Sequence, residues 1–395
     1  MTPQRIPFID LRPGEDDAAM REAIDRVLAS GWFVLGPEVE AFEAEFAAAS
    51  GAAHGIGVGN GTDAISLLLR ALGVGVGDEV IVPAMTAAYT GLAVLLAGAT
   101  PVFADVDPET LTLDPAACEA AITHRTVAMV PVHLYGQPAN MPVLHAIAER
   151  RSLAIVEDCC QAHLATCAGR PVGTFGAGGA FSFYPTKNLG ALGDGGAVIT
   201  NDASIASRIR RLRNGGQINR YLHDEAGVNS RLDELQAAVL RARLPLLQRW
   251  TARRRTLAAA YRRLLGSGDR RVHEPDGGAE SNRLVWPLMQ RDDGHVYHLF
   301  VVRTTERNAL QAHLTASGVG TLIHYPLPLT RQPAFAAVPR VREPNERPLS
   351  TMVCPVAERA AEEILSLPLH PRLADTDVER IGLAVNQFEK GHILA

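Results

Sequence analysis

From about residue 55 to residue 201 the chain repeats one rhythm, a short β-rich run followed by a helical stretch or a loop carrying Gly, Pro or Asp. The runs fall at 80–82, 100–106, 127–132, 153–156, 180–184 and 196–200. Strands separated by helix-length connections are joined by crossovers, which makes neighbours parallel and lays helices on the faces of a single sheet. Helical spacing is clear at 62–72, where Ile65, Leu68, Leu69 and Leu72 share a face, and again at 141–151 and 232–247. These segments are expected to cover the sheet of an α/β domain.

At 395 residues the chain exceeds one typical domain. Downstream, 253–265 reads as a basic helix, a Gly- and Asp-rich connection lies near 276–278, a strand-like run occupies 296–302 and a helix 306–317. This predicts a large domain over 1–250, including the N-terminal segment, and a smaller α/β domain over 251–395. The Pro-rich stretch 325–355 reads as an ordered surface excursion anchored by Phe335, Val338 and Met352, and 378–388 as a closing helix.

Charge and cysteine content exclude several classes. With 38 Lys and Arg against 43 Asp and Glu, a net charge of -5 leaves no excess cation for a nucleic-acid backbone. Five irregularly placed cysteines form no disulfide framework, and the pair Cys159-Cys160 has no second pair to complete a metal site. Residues 1–10 lack a signal-peptide pattern, and the apolar run around 89–99 is broken by glycine and too short to span a bilayer. A cytoplasmic protein outside the membrane, with no nucleic-acid partner, is expected.

Three motifs carry chemistry. In Ser182-Phe183-Tyr184-Pro185-Thr186-Lys187-Asn188-Leu189-Gly190 a lysine follows a buried-looking strand and precedes Gly193-Asp194-Gly195-Gly196; alone, such a lysine reads more readily as a solvated surface residue. In Val156-Glu157-Asp158-Cys159-Cys160-Gln161-Ala162-His163 an acid ends an apolar strand, at the carboxyl edge where α/β sheets bind ligands. A carboxylate there can keep a pyridine nitrogen protonated, and by position alone Asp158 reads equally as a helix cap. Glu157 alternates to the other side and reads as structural. The third, Gly57-Val58-Gly59-Asn60-Gly61-Thr62-Asp63, opens a helix and offers free amides to an anion such as phosphate. Its glycine order is wrong for a dinucleotide fingerprint, the strand before it looks poor, and by itself it is only a capped helix with a tight turn.

Taken together with Gly31-Trp32-Phe33-Val34-Leu35-Gly36-Pro37, Gly227-Val228-Asn229-Ser230-Arg231-Leu232-Asp233-Glu234, His324-Tyr325-Pro326 and Ser366-Leu367-Pro368-Leu369-His370-Pro371, these motifs resemble the DegT/StrS-type sugar aminotransferases over nearly the whole chain. The resemblance implies the aspartate aminotransferase fold (fold type I), with a mainly parallel seven-stranded sheet in the large domain, pyridoxal 5'-phosphate as cofactor, and a homodimer whose two active sites lie at the interface. Carried over position by position, Lys187 is the Schiff-base lysine, Asp158 pairs with the pyridine nitrogen, and Gln161 approaches the ring 3-hydroxyl. Ser182 and the Gly61-Thr62 backbone hold the phosphate, and Asn229 reaches the phosphate bound mainly by the other subunit. Glutamate is the implied amino donor. The run Leu212-Arg213-Asn214-Gly215-Gly216-Gln217 points to a nucleotide-linked 3-keto-6-deoxyhexose acceptor, with Trp32, Tyr89, Arg220, Tyr221, His324 and Tyr325 as substrate contacts. A cyclitol or non-sugar ketone acceptor, or a lyase or cyclase on the same cofactor, is the alternative.

The chain departs from that pattern at four places. Ala87 stands where an aromatic usually stacks on the cofactor ring, Leu164 where glycine is usual, Gly215 where an aromatic is usual, and Thr330 where histidine is common. Tyr89 is the candidate replacement for the missing ring, and the departures together point to an altered acceptor pocket.

Overall fold

The computed structural model describes residues 5–266, 284–336 and 353–393. Strands β1 (His54–Val58), β2 (Glu79–Pro83), β3 (Thr100–Ala104), β4 (Thr126–Met129) and β5 (Ala154–Asp158) precede a small ribbon of β6 (Thr166–Cys167) with β7 (Arg170–Pro171); β8 (Gly178–Ser182) and β9 (Gly196–Thr200) follow. Seven of them form one sheet in the order β1-β9-β8-β5-β4-β2-β3. Only β9 runs against its neighbours, pairing antiparallel with both β1 and β8. The seven-stranded, mainly parallel sheet implied by the motifs is therefore present.

Side-chain alternation explains why this sheet is covered on both faces. Val80 and Val82 of β2 pack with Leu68 and Leu69 of the helix Gly61–Ala71. Ile81, between them, joins the opposite cluster with Phe42, Phe46 and Leu144. Phe46 meets Phe181 and Phe183 edge-on at 5.0 and 5.2 Å, which locks the helix Pro37–Ala49 against β8 and the chain that leads to Lys187.

β1, which reads as a poor strand, is fully formed. Its glycines permit close approach: a Cβ at Gly55 would sit 2.3 Å from the Glu43 carbonyl oxygen, while Ile56 and Val58 are wholly buried. The run 232–247 is not one helix. It breaks into Glu234–Arg243 and a 3₁₀ turn, Leu244–Leu246, because Pro245 lacks an amide proton, and a 19-residue helix, Leu247–Leu265, then begins ahead of the expected 253. The anticipated domain division at 250/251 falls inside that helix.

The strand-like run 296–302 shortens to the strand Phe300–Arg303, since the Val296 and Leu299 amides bond instead to the Gly136 and Tyr135 carbonyls. A two-stranded ribbon joins β10 (Gln217–Asn219) to β11 (Leu222–His223), and a three-stranded antiparallel sheet, β12 (Trp286–Pro287), β13 (Phe300–Arg303) and β14 (Ile364–Leu367), packs with the helices Leu247–Leu265 and Asp375–Ile393 around Tyr261 and Phe300. Phe335 is buried as expected of an anchor; Val338, Met352 and the 276–278 connection lie outside the described residues. Among the described residues no helix is long and apolar enough to cross a membrane.

Candidate active site

Asp158 is the last residue of β5, and its register partner on parallel β8 is Ala180. The sheet therefore delivers the carboxylate and the chain entering the Lys187 turn to the same edge. No helix follows β5, so Asp158 is not a helix cap. One carboxylate oxygen accepts the Thr90 hydroxyl at 2.8 Å and the other the Cys160 amide at 3.1 Å. Thr90 in turn meets the Thr86 hydroxyl at 3.2 Å. Both threonines are buried and belong to the loop and first helical turn after β2. Sequence reading passed over them; the i,i+4 spacing at a helix start was the available signal.

Lys187 sits in a tight turn closed by its own amide on the Tyr184 carbonyl at 2.8 Å. Burial pushes its amine below the range of a solvated lysine, opposed in part by Cys160 and Asp158. Neutral histidines surround it. His163 is held down to about 3 and His324 to about 4, in each case first by burial and then by Lys187. Asn188 donates to the Val296 carbonyl at 3.1 Å, leaving its oxygen to accept from His298 at 3.3 Å, which pins the residue next to Lys187.

The helix Gly61–Ala71 begins beside this lysine. Asn60 caps it by accepting the Asp63 amide at 2.9 Å, while the Gly61 and Thr62 amides have no partner among the described residues. A Cβ at Gly61 would lie 2.6 Å from Cys160 Sγ and 2.8 Å from Ser182 Cβ, so glycine is required where the helix start abuts both strands. Ser230 accepts the Gly59 amide at 2.9 Å and donates to Asp63 at 2.6 Å, fixing the loop. Two open amides at a helix start, beside the Ser182 hydroxyl, fit a phosphate.

Gln161 accepts the Tyr135 amide at 2.6 Å and donates to the Tyr325 hydroxyl at 3.0 Å, so one amide proton of Gln161 remains to give. The Tyr135 hydroxyl donates to the His324 carbonyl, and the His324 ring meets Ser366 at 2.9 Å. Tyr135 was not anticipated, and nothing in its sequence surroundings marks it. Tyr89 is 65% exposed near the start of the helix Ala88–Leu96 and lies within electrostatic reach of Tyr325, while Ala87 occupies the cap position.

The other departures have local consequences. Leu164 adopts a left-handed backbone (φ 59), which costs a leucine more than a glycine, and Gly215 (φ 74) holds a conformation that an aromatic residue would strain. The Thr330 hydroxyl is buried without a partner among the described residues.

Within one chain, Trp32, Arg220, Tyr221 and Asn229 are not gathered at Lys187. Trp32 is exposed and bonds the Val34 carbonyl; Arg220 stacks on Tyr221 at the exposed tip between β10 and β11; Asn229 is exposed and bridges to Asn214.

Glu157 is structural, as alternation suggested. Fully buried, it accepts the amides of Gly173, Phe175 and Gly176 at 2.8, 2.7 and 3.2 Å and the His133 ring at 3.1 Å. His133 Nδ1 accepts the Ala139 amide, so Nε2 carries the proton. Cys159 lies close enough for the three to suggest a metal site, but the lone pairs of Glu157 and His133 are already taken by internal donors. Glu157→Ala is expected to destabilise the fold by on the order of 3–5 kcal/mol, read as a lower urea midpoint with an unchanged slope.

The geometry invites comparison with known proteins. The chain is 47% identical over 386 residues, 97% of this chain and 96% of the other, to a protein of Streptomyces venezuelae named dTDP-3-amino-3,4,6-trideoxy-alpha-D-glucose transaminase. It is 49% identical, over 93% of this chain and 95% of the other, to a protein of Saccharopolyspora erythraea named erythromycin biosynthesis sensory transduction protein EryC1. Its structure superposes with a TM-score of 0.88 and 45% identity on S. venezuelae DesV in complex with a ketimine intermediate, covering 98% of this chain and 99% of that one. The profile of a single family matches residues 15–386, and the chain belongs to it: the DegT/DnrJ/EryC1/StrS aminotransferase family.

Proposed function

We propose that this aminotransferase moves an amino group from glutamate to the keto carbon of a nucleotide-linked 3-keto-6-deoxyhexose. The observation that carries the reading is a desolvated lysine amine within electrostatic reach of a carboxylate clamped by two internal donors, at one sheet edge. The name of the S. venezuelae relative, with its 3-amino sugar, supports the acceptor class.

Members of this family use pyridoxal phosphate. When bound it supplies an aldehyde for covalent capture of amines and a protonated ring that accepts an electron pair from the substrate carbon. Lys187 would capture the aldehyde through Nζ and, once displaced by substrate, serve at Nζ as the base that moves the proton. Asp158 would hold the ring nitrogen protonated, oriented by Thr90 and the Cys160 amide. The amides of Gly61 and Thr62 with Ser182 would hold the phosphate, and the remaining Gln161 proton would serve the ring hydroxyl. With Ala87 in place of an aromatic residue, Tyr89 would supply the stacking side chain, together with His324 and Tyr325 on the substrate side.

The completed site requires a second copy. Trp32, Phe33, Val34 and Leu192 are exposed apolar residues around the start of the helix Glu234–Arg243, where the Glu234 amide bonds the Phe33 carbonyl and Gln236 accepts from Leu192. Covering this patch in a homodimer would bring Asn229, Arg220 and Tyr221 of one subunit to the other's site. Five free thiols suit a reducing, cytoplasmic setting.

Incubating the holoprotein with glutamate and no acceptor tests the transaminase reading. The aldehyde absorbance should convert to that of the amine form with stoichiometric release of 2-oxoglutarate. Adding a 3-keto sugar nucleotide should reverse it; a cyclitol or simple ketone doing so instead would displace the sugar assignment.

A further inference from the structure

Beside Lys187 lies a cavity of about 690 Å³ whose wall includes Arg249, Trp250, Arg254, His370 and Arg372. Its arginines other than Arg254 have an acid partner: Arg249 has Glu15, Arg243 has Asp16 at 2.8 Å, Arg253 has Asp375 at 2.9 Å, and Arg12 and Arg372 share Asp10 at 2.8 and 3.1 Å. Arg254 differs. It is 4% exposed, and among the described residues no carboxylate pairs with it. Its Nη1 donates to the carbonyls of Tyr297, His298 and Leu369 at 3.2, 3.2 and 2.8 Å. Among the described residues every hydrogen bond of this side chain runs from Nη1, while Nε has no partner and Nη2 makes none. Those two nitrogens form the side-on edge of the guanidinium, which takes a carboxylate or phosphate in two parallel bonds.

His370 stands beside it, 6% exposed, with both ring nitrogens unpartnered among the described residues. Burial, with Arg254 and Arg372 adding to it, holds this ring down to about 4, so it is neutral and carries one proton to donate. Burying a cation without an anion is costly, and so is burying an unsatisfied imidazole. Side by side on one wall, they define a place where a ligand's negative charge would remove both costs.

We propose that this cavity holds an oxyanion of a substrate, a carboxylate or a phosphate, on the Nε–Nη2 edge of Arg254 with His370 beside it. The inference rests on the transamination reading for its two sources, the carboxylate of the amino donor or the diphosphate of the acceptor.

Calorimetric titration of the holoenzyme with inorganic phosphate and, separately, succinate tests the site itself. Both should bind, and Arg254→Lys, which keeps the charge and loses the two-pronged edge, should weaken both by at least about tenfold. His370→Asn keeps the test valid should the lysine variant fail to fold. Two kinetic measurements then separate the sources. A KM for glutamate raised about tenfold with unchanged inhibition by dTDP assigns the donor carboxylate; dTDP inhibition weakened about tenfold with an unchanged glutamate KM assigns the diphosphate. Phosphate and succinate that do not bind the wild type, or that bind the folded variants within twofold of it, overturn the proposal. Phosphate binding that depends on Arg254, in an enzyme that glutamate does not convert, would leave the anion site standing and remove the donor reading.

Discussion

Lys187→Ala is expected to lower turnover by at least about 10⁴-fold while leaving the melting temperature of the apoprotein within a few degrees of wild type. The lysine is asked both to bond the cofactor and to carry the proton, and losses of groups with combined nucleophilic and acid–base duty reach that size. The fold should survive, because the turn is closed by backbone bonds and no side chain hydrogen-bonds to the Lys187 amine among the described residues. The same residue gives a pH expectation. Burial lowers its pKa, so as pH rises the neutral, reactive amine appears earlier than for a solvated lysine. Capture of pyridoxal phosphate by apoprotein, followed by absorbance, should therefore reach its plateau at a lower pH than capture by a free lysine side chain.

Asp158→Asn should cost about 10²–10³-fold in turnover with little loss of stability. The amide's single oxygen still accepts the Cys160 amide and its NH2 can donate to the Thr90 hydroxyl, with that bond reversed, so the local contacts persist, but it cannot hold a ring nitrogen protonated. The absorbance of the bound cofactor should shift accordingly, which a purely structural role would not produce. Thr90→Val should move activity in the same direction by about tenfold, since it frees one carboxylate oxygen without removing the charge. Equal, unperturbed spectra in all three proteins would disconnect Asp158 from the ring.

The sheet was legible because its signal is local: β-rich runs bounded by Gly, Pro and Asp map directly onto β2 to β5, β8 and β9. β1 was not, since its glycines carry no β-propensity and are chosen for closeness to Glu43 and Leu232, a tertiary cause invisible in the segment itself. The break at Pro245 was readable in principle but masked by the apolar spacing on either side. At the site, the single-strand motifs placed Asp158, Ser182, Gly61 and Lys187 at one edge. Thr90 and Tyr135 act through partners distant in sequence, Asp158 and His324; the i,i+4 pair Thr86 and Thr90 at a helix start is the one local hint, and Tyr135 has none. Within one chain Trp32, Arg220, Tyr221 and Asn229 lie away from Lys187, and only the family resemblance, not their local pattern, ties them to the site.

One measurement bears on all of this: borohydride reduction of the yellow holoprotein, then peptide mass mapping. A phosphopyridoxyl mass on Lys187, and on no other residue, is the expected result. Label on a different side chain, or a colourless protein that takes up none, would contradict the account at its root.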